Sequence, residues 1–320
     1  MSSIETAAKN NGETVIILTN PKAGASSGGQ VVAEVKRAIE ACGISVLVIA
    51  KIDEAAECAK KLFQSGLLRT VVAAGGDGTL ALLANHLPAE IPLTMLPLGT
   101  ENLLAKYFGL TNNIQEVAGI VADGQVLQVD SGIANGKRFL LMASCGFDAD
   151  VVTRMHQQRT GHIQRSSYAK PIWKSIRKYK YPELLVYPDD HETPIKARWA
   201  FMFNFPCYAM GLPIIPWADA KDGLFDLCTF RGGNLFNGLI YLAGVLLRRH
   251  RGWRDTHFEN FSRLRIESNG EVPYQLDGDP GGKLPLEISV VPNGLTILLP
   301  KNHVLGKTAE KNAVERNVQG

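Results

Sequence analysis

The chain has 320 residues, of which 45% are hydrophobic and 20% charged, with a formal net charge of +3. This length predicts two domains of ordinary globular composition, and the small net charge excludes a strong overall field. No apolar run reaches the ~18–20 residues that span a bilayer; the longest, 235–247, contains Asn237 and Gly238. The N-terminal MSSIETAAKNNGET lacks the apolar core of a signal peptide and reads as a frayed tail. Five scattered cysteines (Cys42, Cys58, Cys145, Cys207 and Cys228) show no CxxC spacing. They point to a reducing cytosol and away from a zinc site.

In chain order, TVIILT at 14–19 predicts a buried strand, followed by the loop NPKAGASSGG at 20–29. A helix is expected from about Gln30 to Ala41 and a strand over 44–50. Asp53 is expected to cap a second helix that runs to about Gln64. Thr70–Ala74 predicts the central strand, ending at Gly75, with a helix from Leu80 to Leu87. A fourth strand over 91–96 leads into PLGT at 97–100 and a helix through ENLLAKYFG. Alternating strands and helices predict a parallel sheet with its ligand at the carboxyl ends of the strands. Three glycine-containing turns, at 20–29, 75–79 and 97–100, fall at three such ends.

TVVAAGGDGTL at 70–80 organises the rest. A strand, a glycine turn and a helix N-terminus form a ready phosphate site. Asp77 would repel phosphate unless a cation or a transferable proton stands between them. A phosphate with a metal, or with a hydroxyl to activate, is therefore expected; the plainer alternative is a tight turn with an Asp cap.

From Gln125 the pattern changes to short strands with turn residues, including a hairpin at Asn135-Gly136. This predicts a β-rich, sandwich-like second domain over 125–295. The first domain then covers 1–124, with about 296–320 returning to it.

GGDGT at 75–79 resembles the nucleotide-binding turn of the diacylglycerol kinase catalytic-domain family, distantly similar to NAD kinases and phosphofructokinases. NPKAG at 20–24 resembles the family's N-P-x-[AS]-G turn, and PLGTENLLA at 97–105 its P-x-G-[ST]-x-N-x-x-A motif. The resemblance covers about residues 14–300. It implies an α/β, NAD-kinase-like nucleotide domain and a β-rich second domain. It also implies ATP bound by Asn20, Pro21, Lys22, Gly24, Gly75, Gly76, Asp77, Gly78, Thr79, Gly99, Thr100 and Asn102. Glu101 stands where the family often has a small residue. Asn204 with PWADAKDGLFDL at 216–227 is similar to a second-domain signature that carries Mg²⁺ in bacterial members. That implies Asp222 on the metal with backbone carbonyls near Asp219 and Leu224, hard oxygen donors of the kind Mg²⁺ prefers.

YQLDGDPGG at 274–282 resembles the family's L-D-G-E segment, where the catalytic base is placed. Asp277 matches the Asp, and Asp279 stands in place of the Glu. The resemblance implies that one of the two is the base that deprotonates a lipid hydroxyl, with Asp77 orienting Mg²⁺ or the hydroxyl. Two departures are Leu141, where many members have Asn, and the lack of a Thr near Ala50–Lys51.

Residues 151–182 carry eight Lys or Arg and no acid, with Tyr168, Trp173, Tyr179 and Tyr181 among them. Residues 231–254 carry five Arg and no acid beside LFNGLIYLAGVLL. Such stretches suit peripheral contact with an anionic membrane, and no nucleic-acid motif accompanies them. The expected function is an ATP-dependent lipid kinase, cytoplasmic and peripherally membrane-associated, acting on diacylglycerol, a sphingoid base or another lipid alcohol. Edge strands leave a homodimer open. The alternatives are a kinase of a soluble alcohol or of NAD, or an inactive lipid-binding protein on the same fold.

Overall fold

A computed structural model describes residues 13–19, 27–157, 179–206, 208, 212 and 214–303. The chain divides into two compact units, Met1–Val129 with Asn293–Leu305, and Asp130–Pro292 with Gly306–Gly320.

Unit 1 is built on β1 (Thr14–Thr19), β2 (Ser45–Ile49), β3 (Leu68–Gly75) and β4 (Leu93–Pro97). They lie parallel in the order β2-β1-β3-β4, and β4 pairs in parallel with the end of β16 (Leu286–Leu299), at Ile297. β1 and β3 bury almost every side chain, as continuous apolar runs covered on both faces must. On one face α1 (Ser27–Ala41) packs with α5 (Ile114–Asp123) over a cluster that includes Val15, Ile17, Val35, Ile39, Val72 and Val117. The helices α2 (Ile52–Gln64) and α3 (Asp77–His86) pack against each other and against the sheet. A short α4 (Leu103–Phe108) follows β4, and β5 (Gln125–Ala134) leads out of the unit.

Three helix starts differ from expectation. Helix α1 begins at Ser27 and takes in Gly28 and Gly29, and α3 begins at Asp77 with Gly76 as its N-cap. Gly76 is a residue type that helix N-caps accept, and Gly28 and Gly29 fall in the first turn of α1 rather than in its interior, where glycine costs most. The cap of α2 is Lys51, which leaves Asp53 in the first turn, where its charge suits the helix dipole.

Unit 2 is a β-sandwich. One antiparallel sheet has the order β12 (Thr256–Phe261), β11 (Phe225–Phe230), β10 (Trp199–Phe203), β7 (Met142–Cys145), β14 (Pro273–Leu276), β15 (Asp279–Lys283). The other pairs β9 (Ile195–Ala197), β8 (Leu184–Pro188), β13 (Arg263–Ser268) and the start of β16. Phe139, Phe225, Phe261, Leu264, Ile266, Leu276 and Ile288 join the two inner faces in one core. β5 and β6 (Lys137–Phe139) form a hairpin whose two-residue turn, Asn135-Gly136, has φ of 47° and 82°. Both values are positive, as the Asn-Gly hairpin turn requires. Among the described residues two α-helices complete the unit, α6 (Phe147–Gln157) after β7 and α7 (Leu235–Leu246) after β11. Among the described residues no helix is long and apolar enough to cross a membrane.

Candidate active site

In unit 1 the carboxyl ends of β1, β3 and β4 are in register: Thr19 stands beside Ala74, and Gly75 beside Pro97. The turns that leave β3 and β4 therefore emerge side by side. Their contact is backbone on backbone. A Cβ on Gly99 would stand 2.6 Å from the Gly76 Cα and 2.6 Å from the Asn102 Oδ1. Asn102 adopts a left-handed φ of 49° and donates from Nδ2 to the Gly99 carbonyl at 2.8 Å. Its Oδ1 is buried with no hydrogen-bond partner among the described residues.

Asp77 bridges the two turns. Its Oδ2 accepts from the Leu103 amide at 2.8 Å and its Oδ1 from the Leu104 amide at 3.0 Å. The carboxylate thus caps α4 while opening α3. Burial pushes the Asp77 carboxyl up, opposed by those two amides and by Lys106. Thr79 is only 7% exposed, with its hydroxyl folded over Gly75. Thr100 is exposed, and Glu101 pairs with Lys106 at 3.5 Å. Gly75, Gly76, Asp77, Gly78, Thr79, Gly99, Thr100 and Asn102 are thus gathered at one sheet edge. Asn20, Pro21, Lys22 and Gly24 lie outside the described residues. So does most of the basic stretch over 151–182.

In unit 2, Asp277-Gly278 is the turn between β14 and β15, with φ of 53° and 86°. The Asp277 carboxylate accepts three backbone N–H bonds: Leu140 at 2.7 Å, Leu141 at 2.8 Å and Met142 at 3.0 Å. It fastens the hairpin to the chain entering β7. The side chain of Leu141 is buried, and its main chain is part of this clamp. Asp279 behaves differently. Its side chain is 51% exposed, and Oδ1 lies 3.4 Å from Nε2 of His156 on α6. The hairpin is also tied inward, because Gly278 N–H donates to Gln275 Oε1 and Gln275 Nε2 donates to Ser144 Oγ. Ser144 and Tyr208 both donate to the Asp148 carboxylate, whose protonation range burial pushes up.

The loop after Asp219 is organised by Asp130. Gly223 N–H donates to Asp130 Oδ2 at 2.8 Å, and Asp130 N–H donates to the Ala220 carbonyl at 2.7 Å. Asn204 Nδ2 donates to the carbonyls of both Asp130 and Leu140. Asp222 is exposed and accepts from the Leu224 amide at 3.0 Å. Among the described residues no cluster of three or more His, Cys, Asp or Glu side chains is assembled. By the resemblance to the family's second-domain signature, a cation here would bind Asp222 together with carbonyl oxygens near Asp219 and Leu224. That donor set is all oxygen, and its chemistry fits Mg²⁺.

Asp130, Asp148, His156 and Gln275 escaped the sequence reading. For Asp130 and Gln275 a signal was available: each is a polar side chain beside apolar neighbours in a strand, and such groups need partners when buried.

Residues 14–134 match the model of the diacylglycerol kinase catalytic domain. Residues 142–299 match that of the YegS C-terminal NAD kinase beta sandwich-like domain. A diacylglycerol kinase of Mycobacterium tuberculosis (strain ATCC 25618 / H37Rv) is 30% identical over 298 residues, 90% of this chain and 96% of its own. The chain belongs to the diacylglycerol kinase catalytic-domain family. A Staphylococcus aureus diacylglycerol kinase (strain Newman) is 23% identical over 255 residues, 78% of this chain and 80% of its own. Among solved structures, a diacylglycerol kinase from Bacillus anthracis str. Sterne aligns at TM-score 0.62 and 20% identity. The alignment covers 91% of this chain and 98% of that one, a likeness of fold. Membership of this family makes the chain a kinase, with the expected α/β domain and β-rich sandwich.

Proposed function

We propose that the chain transfers the γ-phosphate of ATP, with Mg²⁺, to the hydroxyl of a lipid alcohol such as diacylglycerol or a sphingoid base. The observation that carries this reading is the Asp77 bridge, which holds GGDGT and PLGTEN together at one sheet edge. Glycine turns beside a helix N-terminus suit the ATP phosphates. Two amides hold the Asp77 carboxylate, which lowers the repulsion such a neighbour would otherwise bring to phosphate. The lipid acceptor is supported by the relatives, each named a diacylglycerol kinase.

The two aspartates of the hairpin take different parts. Asp277 gives three of about four acceptor positions to amides and holds the turn. Asp279 keeps an exposed carboxylate and is the base. It accepts the hydroxyl proton as that oxygen attacks the γ-phosphorus and the bond to ADP breaks. Mg²⁺ would supply neutralisation of the phosphate charge when bound, and Asp77 would orient it or the incoming hydroxyl.

The test is ATP binding by calorimetry, followed by transfer to a panel of lipid alcohols, a polyol and NAD. Phosphorylation of a lipid alcohol alone supports the reading. Phosphorylation of the polyol or NAD instead overturns the acceptor, and absence of ATP binding overturns the kinase and favours a lipid-binding protein.

A further inference from the structure

Helix α7 of unit 2 is apolar on both of its faces, and among the described residues only the inner face is packed. The inner face is filled. Tyr241 and Val245 are buried, Gly238 lies against the Trp199 ring, and Gly244 lies so close to Trp253 that a Cβ would stand 2.1 Å from it. The Tyr241 hydroxyl accepts from Gly232 N–H and donates to Asp255, so the register of the helix is fixed. The outer face carries Phe236 (71% exposed), Leu239 (55%), Ile240 (39%) and Leu242 (42%), and ends in Leu246 (59%) and Leu247 (66%). Apolar surface of this extent at the positions i, i+3, i+4 is not what a helix facing water carries.

Along the chain the charges that flank the outer face are all arginines, while Asp255 meets the helix on its inner face at the Tyr241 hydroxyl. Arg231 lies before the helix, and Arg248, Arg249 and Arg254 lie after it, all exposed. No Asp or Glu occurs from 231 to 254. A second copy of the chain is a poor occupant: basic groups at both ends of the face bring arginine against arginine whether two such helices pair parallel or antiparallel. An anionic lipid surface complements both parts, its acyl boundary taking the leucines and its phosphates the guanidinium groups.

We infer that the outer face of α7 seats this protein on an anionic bilayer, with Phe236, Leu239 and Leu246 in the acyl boundary and Arg248 and Arg249 on lipid phosphates. The inference deepens the lipid-kinase reading, which gives the surface its purpose, and its test reads vesicle binding separately from catalysis.

The full chain is sedimented with vesicles of phosphatidylcholine alone and with about one-third phosphatidylglycerol. Wild type pellets with the anionic vesicles and is released by salt. The pair Leu239→Asp with Leu246→Asp, and the pair Arg248→Glu with Arg249→Glu, each weaken binding about tenfold or more. Both variant pairs keep the wild-type melting temperature and wild-type transfer to a monomeric short-chain diacylglycerol. Variants that bind as wild type does, or equal binding to neutral vesicles, overturn the inference. So does a wild-type dimer that the leucine pair dissociates while no form binds vesicles. Absence of transfer to any lipid, with vesicle binding intact, counts against the kinase reading alone.

Discussion

The Leu103 amide donates to Asp77 Oδ2 at 2.8 Å across 26 positions of chain. With the Leu104 amide on Oδ1, it makes one carboxylate the joint between two glycine turns. In Asp77→Asn only one oxygen remains, so one of the two amides faces an NH₂ group. Unfolding in urea will show a loss of about 1–3 kcal/mol, the cost of a buried donor left unpaired. Transfer will fall by about 100-fold or more, because the phosphate-binding turn loses its position.

Asp277 and Asp279 will separate cleanly. Asp277→Asn removes an acceptor from a three-amide clamp, so it will lower stability by about 1–3 kcal/mol. Asp279→Asn changes an exposed side chain and will stay within about 0.5 kcal/mol of wild type. Its kcat will nonetheless drop by about 10²–10⁴, as for loss of a general base. Asp279→Glu will retain activity. Urea curves and initial rates on the same preparations check all three variants.

Glycine substitutions give a test of geometry free of charge effects. Gly99→Ala places a methyl 2.6 Å from the Gly76 Cα, which only movement of the backbone relieves. It will cost about 1–3 kcal/mol and weaken ATP binding. Gly119→Ala, inside α5 with nothing within 4 Å, will stabilise by about 0.5–1 kcal/mol. Thermal melts with and without ATP read both effects.

His250 makes stability depend on pH. The ring is fully buried, with Nε2 2.8 Å from the Ile214 carbonyl and Nδ1 3.3 Å from that of Gly244. Burial first, and then the Arg251 charge, push its protonation below the ordinary range, although both carbonyls oppose this. The unfolded chain therefore binds this proton more readily than the folded one. The contribution is complete above about pH 6.5 and is lost as pH falls through the unfolded value towards the depressed one. His250→Gln will be less stable than wild type at pH 7.5, and the gap will narrow by pH 5. Urea unfolding across that range measures it.

Much of this was legible in the residues because the signals are local. Continuous β-branched runs mark β1 and β3, and Asn135-Gly136 marks its hairpin through the backbone that Asn and Gly tolerate. GGDGT stands out as a strand, a glycine turn and a helix start, whereas PLGTEN and LDGD were legible through their resemblance to the family's motifs. The joints between them were not legible. Nothing near Asp277 tells that its partners are the amides of residues 140–142, over 130 positions away. The Asp130 bond to Gly223 is equally non-local, spanning 93 positions. Such contacts exist only once the sheets are assembled, and they tie down Asp277 while leaving the Asp279 side chain half exposed.

The central claim is phosphoryl transfer from ATP to a lipid hydroxyl by way of Asp279. The most direct measurement is ³²P transfer from labelled ATP with Mg²⁺ to diacylglycerol, sphingoid and ceramide acceptors in mixed micelles. Wild type is run beside Asp77→Asn and Asp279→Asn. The account predicts a chloroform-soluble labelled product with wild type, and its loss in both variants while Asp279→Asn still binds ATP. Full activity in Asp279→Asn, or no labelled lipid from a wild-type protein that binds ATP, would contradict it.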